Sequence, residues 1–254
     1  MPESPLSMIT TPSGLPQFGA AGRIGVVVPA NNSVLEPEFA GVLPPSVALY
    51  ATRLLARGDL TPQAVRQMEA QFDRAIGELA ATGVDVILLA DMVTTFIMEP
   101  GWNEARTAAV TAGTGAACLS AWSAMRDAMA ALGVRRFALG TPYPAAIHAL
   151  SLPFFAAGGY EVTGHATLGI SAMRDVPEVR PERLVPFVRG LPLDGAQAVI
   201  LLATDLPSFG CIEALEQELG VPVLSSNQVL LWGALRAAGN AAAIPGLGRL
   251  LREH

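Results

Sequence analysis

Few side chains in this 254-residue chain are equipped for acid–base or covalent chemistry, and their distribution narrows what it can do. Every basic residue other than histidine is an arginine, which excludes a lysine Schiff base and any phosphate loop that relies on its lysine. Cys118 and Cys211 stand far apart, with no CxxC and no neighbouring histidine pair. Neither a zinc site nor a disulfide framework is indicated, and both thiols read as small buried hydrophobes. His148 and His165 have no obvious partner and read as structural; His254 ends the chain. One carboxyl stands out. Asp91 directly follows the apolar run 84–90 and precedes Met92 and Val93, so desolvation at a strand end should raise its pKa, as a proton donor requires. An aspartate in that position also suits a turn, its oxygens accepting backbone N–H bonds. Ser225, Ser226 and Asn227 fall between a strand and a helix, where backbone amides can hold an anion and the same side chains can cap the helix.

The elements that position these residues follow from periodicity. From Arg23 onward, short apolar runs alternate with helical patterns. Strands are expected at 24–28, 47–54, 84–90, 116–119, 136–140, 160–168, 198–203 and 221–224. Between them Thr61-Pro62 supplies an N-cap and an N1 proline for one helix reaching Gly83, with Val65, Met68, Phe72, Ile76 and Leu79 at helical spacing. Further helices are expected at 103–112, 123–132, 145–157, 181–189, 211–219 and 229–238, and 91–100 reads as a loop. Such alternation implies parallel sheets covered on both faces. Residues 1–22, rich in Pro, Ser and Gly, read as a flexible tail without the pattern of a signal peptide. The first lobe is expected to take residues 23–118 with the C-terminal helical segment 228–254, and the second lobe 119–227.

With 51% hydrophobic and 15% charged residues, the chain lacks the signature of disorder. A net charge of −6 is the wrong sign for a nucleic-acid surface, and no apolar run approaches the roughly 20 residues of a membrane helix. A cytoplasmic homo-oligomer is expected. An internal echo suggests duplicated halves: 86–96 overlays 199–209 without a gap, six of eleven positions being identical, and sets Asp91 opposite Thr204. Halves of this kind place their strand-end loops around one cleft.

Four stretches, Gly25-Val26-Val27-Val28-Pro29-Ala30-Asn31-Asn32-Ser33-Val34-Leu35-Glu36-Pro37-Glu38, Ala138-Leu139-Gly140-Thr141-Pro142-Tyr143, Thr167-Leu168-Gly169-Ile170 and the segment 219–228 running on to Trp232, carry a resemblance. Through them the chain resembles the Asp/Glu racemase superfamily, in the branch of maleate cis-trans isomerase and arylmalonate decarboxylase. The resemblance implies an α/β fold of two pseudo-symmetric Rossmann-like lobes, each a parallel four-stranded sheet flanked by helices, with the active site between them. It implies a small carboxylate substrate and no cofactor or metal. That family uses two cysteines, one from each half. Here the first position falls on Asp91 and the second on Ala203 or Thr204, so no sulfur is present.

The departure reshapes the implied chemistry. Asp91 and Thr204 become the catalytic candidates, and an alcohol is too weak an acid for two-sided racemisation. Asn32 matches the asparagine that binds substrate carboxylate, Tyr143 the tyrosine of the Thr-Pro-Tyr loop, and Thr94 and Thr95 hydroxyls near the first catalytic position. Ser226 and Asn227 complete the substrate-binding set. Ser171 stands where maleate isomerases carry an asparagine, which points away from maleate itself. Decarboxylation with Asp91 as proton donor is the favoured reading. The alternatives are cis-trans isomerisation of a maleate-like acid, hydrolysis by an Asp91-activated water with Thr204, and a non-catalytic carboxylate-binding protein.

Overall fold

The computed structural model describes residues 19–254; the part of the expected tail before Gly19 lies outside the described residues. Strand β1 (Arg23–Pro29) carries consecutive β-branched residues buried on both faces, as a central parallel strand requires. It pairs in parallel with β2 (Ala48–Leu54) and β3 (Val86–Leu89), and β3 pairs with β4 (Ala117–Ser120), giving the order β2-β1-β3-β4. The second sheet repeats that order as β6-β5-β7-β8, built from β5 (Arg136–Thr141), β6 (Glu161–Thr167), β7 (Ala198–Leu201) and β8 (Val223–Ser225).

Helices flank both sheets. α1 (Leu35–Ala40), α2 (Pro62–Glu69), α3 (Phe72–Ala81), α4 (Thr94–Ile97), α5 (Trp102–Thr114) and α6 (Ala121–Ala131) fall in the first half of the chain. α7 (Ala145–Ala157), α8 (Pro181–Arg189), α9 (Ile212–Leu219), α10 (Ser226–Ala237) and α11 (Gly248–Glu253) follow. Successive residues of a strand point to opposite faces. Thus Val86 and Leu88 of β3 join the core that runs through both halves, while Ile87 and Leu89 join a second core with Phe72, Ile76 and Leu79 of α3. α10 packs on α6, β3 and β4, and α11 on α9 and α10. No helix of the described residues is long and apolar enough to cross a membrane.

Three sequence readings change. The single helix from Thr61 splits into α2 and α3, although Thr61 does cap α2 by accepting from the Ala64 N–H at 3.2 Å. At the break, the Gln71 amide accepts from Leu55 N and donates to Leu55 O, standing in for a strand partner and fixing the bend. The loop after β3 contains the short helix α4. The gap-free echo is also out of step by one residue. Leu89 pairs with Ser120 and Leu201 with Ser225, and those two serines hold matching capping boxes at the starts of α6 and α10. Leu89 therefore corresponds to Leu201, and Asp91 to Ala203 rather than Thr204.

Candidate active site

The carboxyl ends of six strands open onto one cavity, the usual ligand position in sheets of this kind. Pro29 follows from β1, Ala56 from beyond β2, Asp91 from β3, Tyr143 from β5, Ile170 from β6, and Ala203, Thr204 and Asp205 from β7. The free volume is about 540 Å³ including its open mouth. Leu60, Val65, Met68, Val93, Met173 and Val176 make most of the wall apolar, and it carries no arginine or histidine.

Asp91 is 9% exposed on this wall. Its Oδ1 accepts from the Val93 N–H at 3.1 Å, and its Oδ2 from the Thr94 hydroxyl. The turn role and a place on the cavity therefore coexist. Burial pushes its pKa up, against the lowering effect of the Thr94 and Val93 hydrogen bonds.

On the other half, Ala203 holds φ +99°, the one positive φ outside glycine among the described residues. A side chain there costs about 1–3 kcal/mol, a strain that concentrates at functional turns. This bend aims the next two residues at the cavity. Thr204 donates through Oγ1 to Ala90 O at 2.8 Å, and Asn32 Nδ2 donates to Thr204 O at 3.0 Å and Oγ1 at 3.2 Å. The hydroxyl proton is thus committed to pinning one strand end to the other. Asp205, which sequence reasoning passed over, also lines the cavity and accepts from Asn31 Nδ2 at 3.2 Å. Burial raises its pKa to about 7, and the Asp91 charge adds to the rise.

Tyr143 is 4% exposed, and its hydroxyl has no hydrogen-bond partner. Burial first, then the Asp91 and Asp205 charges, hold its pKa well above the ordinary phenol value, so it remains a donor. Asn31 Oδ1 is a second orphaned atom on the wall. Buried polar atoms are rarely left unpaired, and both of these belong to residues that line the cavity.

The structure brings Asp91, Tyr143 and Thr204 together at the cavity and places the other predicted site residues off it. Asn32 is 1% exposed, and its Oδ1 accepts from the Val34 and Leu35 amides, so the whole side chain serves the β1–α1 turn and the Thr204 tie. Thr94 reaches the site only through its bond to Asp91, and Thr95 turns toward Asn103 at 3.5 Å. Ser226 Oγ accepts from the Ala203 N–H at 3.1 Å, holding the strained turn. Asn227 donates to Glu38 Oε2 at 2.7 Å, while Glu38 Oε1 accepts from the Ser208 and Phe209 amides.

Neither cysteine lines the cavity. Burial pushes the Cys118 thiol to about 12 and the Cys211 thiol to about 11. The two histidines do have partners: His148 Nδ1 contacts Thr141 Oγ1 at 2.9 Å, and its Nε2 contacts His165 Nδ1 at 3.0 Å. No group of three or more potential metal ligands occurs among the described residues.

A strap links two loops that line the cavity. Leu60 N donates to Ser171 O at 2.9 Å and Met173 N to Gly58 O at 3.3 Å, forming an antiparallel bridge between Asp59 and Ala172. An outer cleft lined by Arg57, Asp59 and Arg174 adjoins the cavity, sharing Asn31, Ala56 and Met173 with it.

A family model described as arylmalonate decarboxylase matches residues 24–251. The arylmalonate decarboxylase of Bordetella bronchiseptica is 32% identical over 241 residues, covering 93% of this chain and 99% of the relative. The maleate isomerase of Geobacillus stearothermophilus is 29% identical over 242 residues, covering 90% and 96%. Among solved structures, a cysteine-to-serine variant of the Nocardia farcinica maleate cis-trans isomerase, with a covalently bound succinylcysteine intermediate, superposes with a TM-score of 0.87. It is 29% identical and covers 92% of this chain and 99% of its own.

Proposed function

The chain belongs to the arylmalonate decarboxylase family, and from that premise we propose that it is a cofactor-independent decarboxylase of a small malonate-type acid, with Asp91 as proton donor. The observation that carries the reading is the unpartnered Tyr143 hydroxyl beside a buried, protonation-prone Asp91 in a mostly apolar cavity. Tyr143 donates to the carboxylate that is retained. The other carboxylate lies against the apolar wall, where its charge is poorly solvated, and leaves as CO2. Its bonding electron pair passes into an enediolate, which the Tyr143 O–H stabilises as negative charge develops. The Asp91 O–H bond then breaks as the proton reaches carbon, giving the monocarboxylate product and an Asp91 carboxylate that solvent reprotonates. Thr94 holds Asp91 Oδ2 and so sets which oxygen faces the carbon.

Cis-trans isomerisation through Asp91 as a nucleophile is the second reading, favoured by the maleate isomerase relatives. Against it, both Asp91 oxygens already accept hydrogen bonds, and a carboxyl inclined to protonation is a poor nucleophile. Hydrolysis loses its support, because the Thr204 hydroxyl proton is engaged by Ala90 O. Incubation with phenylmalonate, methylmalonate and maleate, followed by NMR and CO2 release, tests the assignment. CO2 release from a malonate is expected; fumarate from maleate without CO2 release from either malonate would overturn it.

A further inference from the structure

The cavity poses an electrostatic problem. It presents two carboxyls and no cation to a substrate that, on the reading above, is itself an anion. Asp91 and Asp205 each stand one residue beyond the Thr204 to Ala90 hydrogen bond that joins the two strand ends, so they share one low-dielectric space. Asn31 Nδ2 is divided between Asp205 Oδ2 and Met173 O, each at 3.2 Å, and its Oδ1 is left without a partner. The other titratable group on the wall is Tyr143, which stays protonated. Arg57, Asp59 and Arg174 lie in the outer cleft, and Arg174 faces Asp175 at 3.5 Å.

We propose that Asp205 is a substrate-binding acid: in its protonated form it donates a hydrogen bond to a carboxylate of the substrate, so that binding of the anion takes up a proton. This rests on the carboxylate reading of the cavity and adds to it the residue that admits the charge. Ionised, Asp205 repels the incoming carboxylate; protonated, it supplies a donor where the wall offers few others. Its proton comes from solvent and returns there when product leaves, so nothing is consumed.

The test is calorimetric titration of the whole chain with malonate, in phosphate and in Tris buffer, at pH 7, 8 and 9. Near pH 8 the wild-type protein should take up about 0.9 proton per malonate bound, since Asp205, titrating at about 7, is then mostly ionised. Affinity should fall roughly fifty-fold between pH 7 and pH 9, as the competent fraction shrinks from about one half to about one hundredth. Asp205→Asn, a neutral side chain that keeps both a donor and an acceptor, should bind malonate without that uptake and with a flat pH dependence. Asp205→Ser, checked for folding by its melting transition, should lose the uptake in the same way. Uptake that persists in Asp205→Asn, or wild-type binding that releases or takes up no proton, overturns the role of Asp205 alone. Absence of malonate binding by every variant at every pH overturns the carboxylate reading and this inference with it.

Discussion

Replacing Tyr143 by Phe removes one oxygen and little else, and its effects on stability and function should have opposite signs. In the free protein that oxygen is buried without a hydrogen-bond partner, and an unsatisfied buried polar group costs about 1–3 kcal/mol. Tyr143→Phe should therefore be at least as stable as wild type and up to about 3 kcal/mol more so. For a domain near this size, that corresponds to a melting temperature higher by as much as about 10 °C. On the proposed decarboxylation, the same oxygen donates to a substrate carboxylate, a hydrogen bond to a charged group worth about 1.5–3 kcal/mol. Its loss should lower kcat/KM by roughly 10- to 150-fold, with the larger share in kcat because the bond strengthens as the enediolate forms. Thermal melts and urea titrations give the stability change, and decarboxylation followed by NMR gives the kinetics. A variant that is less stable by 1 kcal/mol or more while its turnover is unchanged would show that the tyrosine is packing and that its hydroxyl meets no substrate.

Other substitutions separate the remaining roles. Asp91→Asn keeps an oxygen for the Val93 amide but has no proton to give, so turnover should fall at least about 100-fold while circular dichroism stays native. Thr204→Val deletes the hydrogen bonds at 2.8 and 3.2 Å that pin the strand ends. It should cost about 1–3 kcal/mol in urea denaturation, whereas a hydrolytic hydroxyl would instead show as a collapse of kcat at unchanged stability. Ala203→Gly relieves a left-handed backbone, and despite the greater unfolded-state entropy of glycine it should raise stability by about 1 kcal/mol, read from the urea midpoint.

The architecture was legible because it is written in local pattern. Runs such as Val26-Val27-Val28 and Ile87-Leu88-Leu89, separated by helical spacing and by glycine stops, point to parallel sheets without any knowledge of contacts. Part of the cavity lining was legible. Asp91 shows itself by position, being a carboxyl at the end of a buried run, and Tyr143 by its loop. Asn32 and Asn227 were misplaced because an amide looks alike in sequence whether it binds a ligand or closes a turn; only the Val34, Leu35 and Glu38 partners distinguish the cases. Asp205 escaped because its counterpart in the first half is apolar in either register, Met92 in the gap-free echo and Val93 in the structure, so the comparison of halves misplaced Thr204 but gave no sign of Asp205. A register error of one residue changes which side chains share a face, and the signal that would have exposed it is the pair Ser120 and Ser225, each one residue before a helix. The Gln71 bend depends on a contact with Leu55 distant in sequence, which no helical periodicity reports.

The strap between the cavity loops bears on how fast the protein can work. Thr204 and Ala90 anchor the base of the cleft, whereas the strap is secured by two main-chain hydrogen bonds between solvent-facing loops, the class of contact that opens locally at small free-energy cost. On the proposed function, substrate and product should pass where these loops meet, while the anchored base keeps its geometry. If the proposed carbon–carbon bond cleavage outpaces that opening, turnover should be governed by the departure of product and should slow with solvent viscosity.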